Sequence, residues 1–146
     1  GLAFGPLMVA GTAFVLNGKY TVAAVIASMV PFFLISNLLL LNQYPDVDAD
    51  RAVGRRHLLI VHGARTGAIV YILFLAGAFA VPVLGVMAGY LPAGALIGLL
   101  CLGIAVPLAI GVWRHAGQGG ALQHMLAPNV ALSLLMPLLV TLGILL

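Results

Sequence analysis

The chain has 146 residues, of which 64% are hydrophobic and 6% are charged, and its formal net charge is +3. Soluble domains carry about 25% charged residues, so this composition excludes one and indicates a protein that spans a membrane. This net charge is too small to suggest a nucleic-acid-binding surface, and the expected role of the positive charges is to set the topology. The single cysteine, Cys101, lies in an apolar run and excludes an intrachain disulfide.

Five apolar stretches predict transmembrane helices, because a helix needs about 20 apolar residues to cross the hydrocarbon core. Their unbroken hydrophobicity favours helices over strands, in which polar and apolar residues would alternate. In chain order the stretches cover residues 2–16, 21–41, 67–88, 92–113 and 122–146. The first stretch is short and the sequence begins directly in it. We therefore expect the chain to be a fragment of a longer protein, with residues missing before Gly1.

Two polar links dominate the connections between these stretches. Residues 42–66 form a long polar segment and residues 114–120 a short, glycine-rich one, and both fall on the same side of the membrane. Together they carry five of the six Lys and Arg residues, whereas the other side has only Lys19. The positive-inside rule places the charged side in the cytoplasm. We expect a multi-pass protein of the cell inner membrane.

All the carboxylate side chains of the chain lie in one place, since Asp46, Asp48 and Asp50 are its three acidic residues. In a helix, Asn42, Asp46 and Asp50 recur every four residues and share one face, while Asp48 points away from it. Their oxygens form an open-sided cluster of the kind that binds Mg²⁺, with substrate phosphates and waters completing the shell.

Basic residues follow the acids directly, at Arg51, Arg55 and Arg56, and Arg65 lies a little further on. Guanidinium groups match phosphate oxygens bidentately. Acids and arginines together therefore predict a site in which a divalent cation and several guanidinium groups hold one anion.

The acids also have a plainer explanation. Pro45 is expected to end the preceding helix and to begin a new one, which would place Asp46 in a first turn, where the helix dipole favours acids. An EF-hand loop is excluded, because Arg51 and His57 stand at its glycine and glutamate positions. His57 and His62 have no pair of cysteines to complete a zinc site.

The polar segment resembles the second aspartate-rich motif of UbiA-type intramembrane prenyltransferases. The matching residues read Asn42-x-x-x-Asp46-x-x-x-Asp50-Arg51-x-x-Gly54-Arg55-Arg56. The context agrees, because the motif stands at the cytoplasmic end of a helix and three more helices follow. The resemblance implies an all-α bundle of about five transmembrane helices, similar to helices five to nine of the nine-helix family fold. Residues 1–146 would then be a single membrane domain, the C-terminal half of such a protein.

The resemblance also implies a reaction. In the family, two aspartate-rich motifs hold an isoprenyl diphosphate through Mg²⁺, diphosphate leaves, and an acceptor attacks the allylic cation. By motif position, the implied Mg²⁺ ligands are Asp46 and Asp50 with Asn42 in support, and Asp48 is secondary. The implied diphosphate-binding residues are Arg51, Arg55 and Arg56. The motif identifies no general base.

The sequence departs from the family pattern at Gln43, Pro45 and His57, where other residue types are common. These positions bear on the acceptor, which is expected to be an aromatic quinone precursor. The first aspartate-rich motif is absent from residues 1–146, so the chain is expected to hold half of an active site and to be inactive alone. Its expected partners are a prenyl diphosphate, the acceptor, the lipid bilayer and the missing N-terminal half.

Two other functions compete with this one. A cation transporter or channel subunit could carry the acids at its cytoplasmic mouth, but the nearby guanidinium groups would repel the permeating cation. A purely structural membrane subunit is the other alternative. It predicts that the acids can be neutralised without loss of function.

Overall fold

The computed structural model describes residues 1–118 and 120–146, and all the regular secondary structure in those ranges is helical. In chain order the helices are α1 (Ala3–Asn17), α2 (Val22–Ala52), α3 (Leu58–His62), α4 (Ala64–Met87), α5 (Ala93–His115) and α6 (Gly120–Leu145). Four of them, α2, α4, α5 and α6, are long and apolar enough to cross a membrane. The predicted all-helical membrane bundle is confirmed, and α1 is as short as its apolar stretch.

The helix α2 occupies the centre of the bundle. It packs along α1 on one side and α4 on the other, and its second half also contacts α6. The helices α5 and α6 approach backbone to backbone, since a Cβ atom on Gly94 would meet the carbonyl oxygen of Gly143. One turn further, Gly98 faces the side chain of Val140. Small residues at these positions allow the close helix contact on which membrane packing depends.

Buried polar side chains connect α2, α4 and α6 within their membrane spans. The Tyr71 hydroxyl donates to Asn129 Oδ1 at 2.8 Å, and Asn37 Nδ2 donates to the backbone carbonyl of Tyr71 at 2.9 Å. The Ser133 hydroxyl donates to the carbonyl of Asn129 at 2.8 Å. Because the bilayer core holds no water to compete for these groups, the two bonds between helices, from Tyr71 and from Asn37, fix which helices are neighbours.

We expect Tyr71→Phe to lower the stability of the protein in detergent by about 1 kcal/mol, within the range measured for interhelical hydrogen bonds in membranes. The change keeps the ring but leaves Asn129 Oδ1 without its donor. Unfolding by sodium dodecyl sulfate measures the difference. The control is Tyr90→Phe, since Tyr90 is exposed at the α4–α5 turn. Equal shifts for the two variants would contradict a role for the buried bond.

The prediction that Pro45 ends a helix is wrong, because α2 runs unbroken from Val22 to Ala52. Proline removes one backbone donor, but packing on both sides of it holds the helix together. Leu41 and Tyr44 are buried, and the Tyr44 hydroxyl donates to the carbonyl of Ala64 at 2.8 Å. The three acids consequently lie in the last two turns of α2 rather than in a first turn.

The two polar links lie at the same end of the bundle. Arg65, at the start of α4, donates from Nη1 to the carbonyl of Trp113 near the end of α5, at 3.0 Å. The Arg65 guanidinium also stacks 3.5 Å above the Trp113 ring, in a cation–π contact. This arginine therefore joins two helix ends, a role that its position in the sequence did not suggest.

Cysteine labelling tests which side of the membrane this end faces. A cysteine at Ala52 is expected to react only from the cytoplasm and one at Lys19 only from outside, in a Cys101→Ala background. Lys19 is chosen in this turn because its neighbour Gly18 has a φ of 68°, a conformation in which a cysteine would be strained. Labelling of the cysteine at position 52 only from outside would contradict the expected orientation.

Candidate functional site

One face of α2 opens onto a cavity at the charged end of the bundle. The cavity has a volume of about 480 Å³ and is lined by Asn42, Pro45 and Asp46 of α2 and by Gln123 and Leu126 of α6. Because α2 is continuous, Asn42 and Asp46 lie one turn apart on this face. The sequence did not identify Gln123, although it is a polar residue at the beginning of the last apolar stretch.

The Asp50 carboxylate, one turn beyond Asp46, is held by the residues that follow the helix. Its Oδ1 accepts from Arg55 Nη1 at 2.8 Å, and its Oδ2 lies 3.3 Å from His57 Nε2. The Asp50 side chain is only 14% exposed, whereas that of Arg55 is 70% exposed. The carboxylate is therefore fixed while its arginine partner reaches into solvent.

The glycine of the motif explains how the chain returns to Asp50. Gly54 has a φ of 77°, its N–H donates to the Arg51 carbonyl at 3.2 Å, and the Arg55 N–H donates to the Asp50 carbonyl at 3.0 Å. These two bonds are the pair that defines a Schellman motif at the end of a helix. A residue with a side chain would cost about 1–2 kcal/mol in this left-handed conformation. The turn reverses the chain, so that Arg55 faces the carboxylate of Asp50.

Asp48 and Arg51 lie on another side of α2. They form an ion pair at 3.2 Å, with side chains 95% and 59% exposed, and both line a second cavity of about 360 Å³ bounded by α3 and the α5–α6 link. Asp48 thus points away from Asp46, as its helical position predicts. Arg56 is exposed, and it forms no ion pair with the residues that the structure describes.

The oxygen donors fit part of a Mg²⁺ site. Among the described residues, no group of three or more His, Cys, Asp or Glu side chains is arranged to hold a metal ion. Asp46 and Asp50 supply two carboxylates, and Asn42 adds an amide on the same face. One or two protein carboxylates are typical of Mg²⁺ sites in which substrate phosphates and waters provide the other ligands. The set therefore suits a cation that arrives with a phosphate rather than a closed structural site.

The position of Asp50 is electrostatically unfavourable for the folded chain. The three acids lie in the last two turns of α2, and Asp50 lies in the last turn, at the negative end of the helix dipole. A carboxylate near a helix C-terminus costs up to about 1 kcal/mol, and the exposed pair of Asp48 with Arg51 offsets little of this. A cation would be favoured at the same place.

The UbiA prenyltransferase family matches residues 1–135 of the chain. The match includes the aspartate-rich segment, all of α1 to α5 and the first half of α6. No curated protein and no solved structure matches the chain. The family match confirms the resemblance drawn from the motif, and the all-helical bundle agrees with it. The chain belongs to the UbiA prenyltransferase family, whose members are membrane prenyltransferases.

Proposed function

We propose that this chain carries the second aspartate-rich half of a prenyltransferase site, in which Asp46 and Asp50 bind Mg²⁺ with support from Asn42. The cation brings the diphosphate of an isoprenyl donor to the cytoplasmic end of α2. The observation that carries this proposal is the placement of the two carboxylates on one face of the last turns of α2. Asp50 lies in the last turn, where the helix dipole disfavours an acid and favours a cation.

The arginines would stabilise the leaving group. When the allylic C–O bond breaks, the diphosphate leaves with the electron pair, and guanidinium groups stabilise the charge that builds up on it. Arg55 is the best supported of the three, because its side chain is 70% exposed and its guanidinium group can reach a phosphate in solvent next to Asp50. Arg56 is exposed beside it, whereas Arg51 has the least support because it pairs with Asp48.

The walls of the cavity next to Asp46 suit the second step of the reaction, in which the acceptor attacks the allylic cation. Pro45 and Leu126 make part of its surface apolar. An apolar wall limits the access of water to an allylic cation, which can then be attacked by the ring carbon of an acceptor. We propose an aromatic quinone precursor as that acceptor, and a second aspartate-rich segment outside residues 1–146 as the source of the remaining metal ligands.

The contact of Arg55 with Asp50 also bears on the alternative of a cation transporter or channel. A permeating cation would meet a guanidinium group on one of its two carboxylate ligands. That arrangement hinders the passage of a cation. It suits a diphosphate, which is held by a carboxylate-bound cation and by guanidinium groups together. We therefore propose an enzyme site at the cytoplasmic face of the inner membrane, with residues 42–66 facing the cytoplasm.

A transfer assay tests the proposal. The full-length protein in liposomes is given Mg²⁺, an isotopically labelled prenyl diphosphate and a phenolic acid, and labelled prenylated product is measured. We expect product to form, to disappear on addition of EDTA and to return when Mg²⁺ is restored in excess. Flux of a cation through the liposome membrane, without any product, would instead support the transporter.

A further inference from the structure

His57 lies against the same carboxylate that the proposed function assigns to Mg²⁺. Its Nε2 is 3.3 Å from Asp50 Oδ2, and its side chain is 16% exposed. The contact has the distance of an ion pair but lacks the angles of a hydrogen bond. Within the described part of the chain, both buried ring nitrogens remain without a hydrogen-bond partner. A small rotation of either side chain would allow an Nε2–H group to donate to Oδ2.

The backbone holds His57 in this place. It has an extended conformation, with φ −124° and ψ 176°, and directly precedes α3. Its carbonyl accepts from the N–H groups of Ile60 at 3.1 Å and Val61 at 3.0 Å. On its other side the chain is fixed by the turn at Gly54, whose bonds return to the end of α2. The imidazole is thus carried by an anchored segment, in contrast to the exposed arm of Arg55.

The two neighbours of Asp50 therefore differ in how firmly they are held. Arg55 contacts Oδ1 from an exposed side chain, and its movement toward a phosphate would leave Oδ1 available to a cation. His57 occupies Oδ2 from a mostly buried position and need not move in that exchange. Asp50 can therefore bind a cation through Oδ1 while His57 stays next to Oδ2.

We propose that His57 is a positioning residue, which orients the Asp50 carboxylate toward Mg²⁺ by donating from Nε2 to Oδ2. The proposal rests on the proposed function, because it requires that Asp50 bind a cation. Partners that hydrogen-bond to metal-binding carboxylates typically contribute ~10–100-fold to metal affinity. His57 is also one of the positions at which this sequence departs from the family pattern, so the role belongs to this chain rather than to the motif.

Direct measurement of cation binding tests the role without relying on turnover. The full-length protein is titrated with Mn²⁺, a paramagnetic substitute for Mg²⁺, and free Mn²⁺ is followed by electron paramagnetic resonance. His57→Leu is expected to weaken binding ~10–100-fold. His57→Gln is expected to stay within about threefold of the unmodified protein, because its amide nitrogen reaches as far as Nε2 and is also a donor.

A second comparison guards against loss of folding. His57→Asn is also polar but one methylene shorter than His57→Gln, so we expect it to bind Mn²⁺ as weakly as His57→Leu while its unfolding matches that of His57→Gln. The matched control is His62→Leu at the exposed end of α3, which should leave affinity unchanged. Equal affinities for the Gln and Asn variants, or unchanged affinity in His57→Leu, would overturn the positioning role alone. Absence of Mn²⁺ binding by the unmodified protein would overturn the metal site as well.

Discussion

Asp46→Asn and Asp50→Asn are each expected to lower prenyl transfer by the full-length protein by ~10²–10³-fold, the loss typical of removing one group that stabilises a developing charge. Asp48→Asn is expected to retain activity within about fivefold, since an exposed ion pair contributes less than about 1 kcal/mol. Asparagine keeps the size of each side chain and removes only its charge. The three variants therefore compare charge at three positions of one helix.

The structure gives each position a different environment. Asp46 lines the cavity between α2 and α6, and Asp50 is largely buried between Arg55 and His57. Asp48 is 95% exposed and pairs with Arg51 on another side of the helix. A cation bound on the face of Asp46 and Asp50 would lose a ligand in two of the variants and keep both in the third.

Product formation at several Mg²⁺ concentrations separates the possible outcomes. If the first two variants bind the cation more weakly, their requirement for Mg²⁺ rises, and excess Mg²⁺ restores part of the activity. The Asp48→Asn variant serves as the control for expression and insertion. Small and equal losses in all three variants would remove the metal assignment and favour a structural subunit, in which the acids can be neutralised freely.

Hydrophobicity alone predicts most of the fold. Each apolar stretch of the sequence became a helix, because a membrane span must satisfy its own backbone bonds, and apart from the C-terminal end of α2 the helix ends are displaced by only a few residues. The end of α2 could not be predicted in this way. Local propensity at Pro45 opposes a helix, but the packing of Tyr44 and its bond to the carbonyl of Ala64 depend on a residue twenty positions away.

The site is only partly visible in the sequence for a related reason. The spacing of Asn42, Asp46 and Asp50 is a property of one helix, so it can be read from their positions. The pairing of Arg51 with Asp48 and the approach of His57 to Asp50 depend on how the turn at Gly54 and the start of α3 are placed. Gln123 reaches the cavity only through the packing of α6 against α2, which no local pattern records.

Residues 1–146 reconstituted alone with Mg²⁺, a prenyl diphosphate and an aromatic acceptor are expected to give no product above background. The reason is the number of carboxylates on this face of α2. Asp46 and Asp50 balance the charge of a single divalent cation, and α2 and α6 provide its lining residues. A diphosphate carries several negative charges, which require more cations and therefore more carboxylates than this face supplies.

The five longer helices are still expected to insert, because each satisfies its own backbone hydrogen bonds. Circular dichroism and protease protection establish that the reconstituted chain is helical and membrane-embedded before turnover is measured. Co-expression with the proposed N-terminal half is then expected to restore product formation, and to fail when Asp46→Asn is introduced. Robust turnover by residues 1–146 alone would refute the half-site. It would point instead to a site between two copies of the chain, each contributing its own Asp46 and Asp50, and turnover would then rise with the square of the chain's density in the membrane.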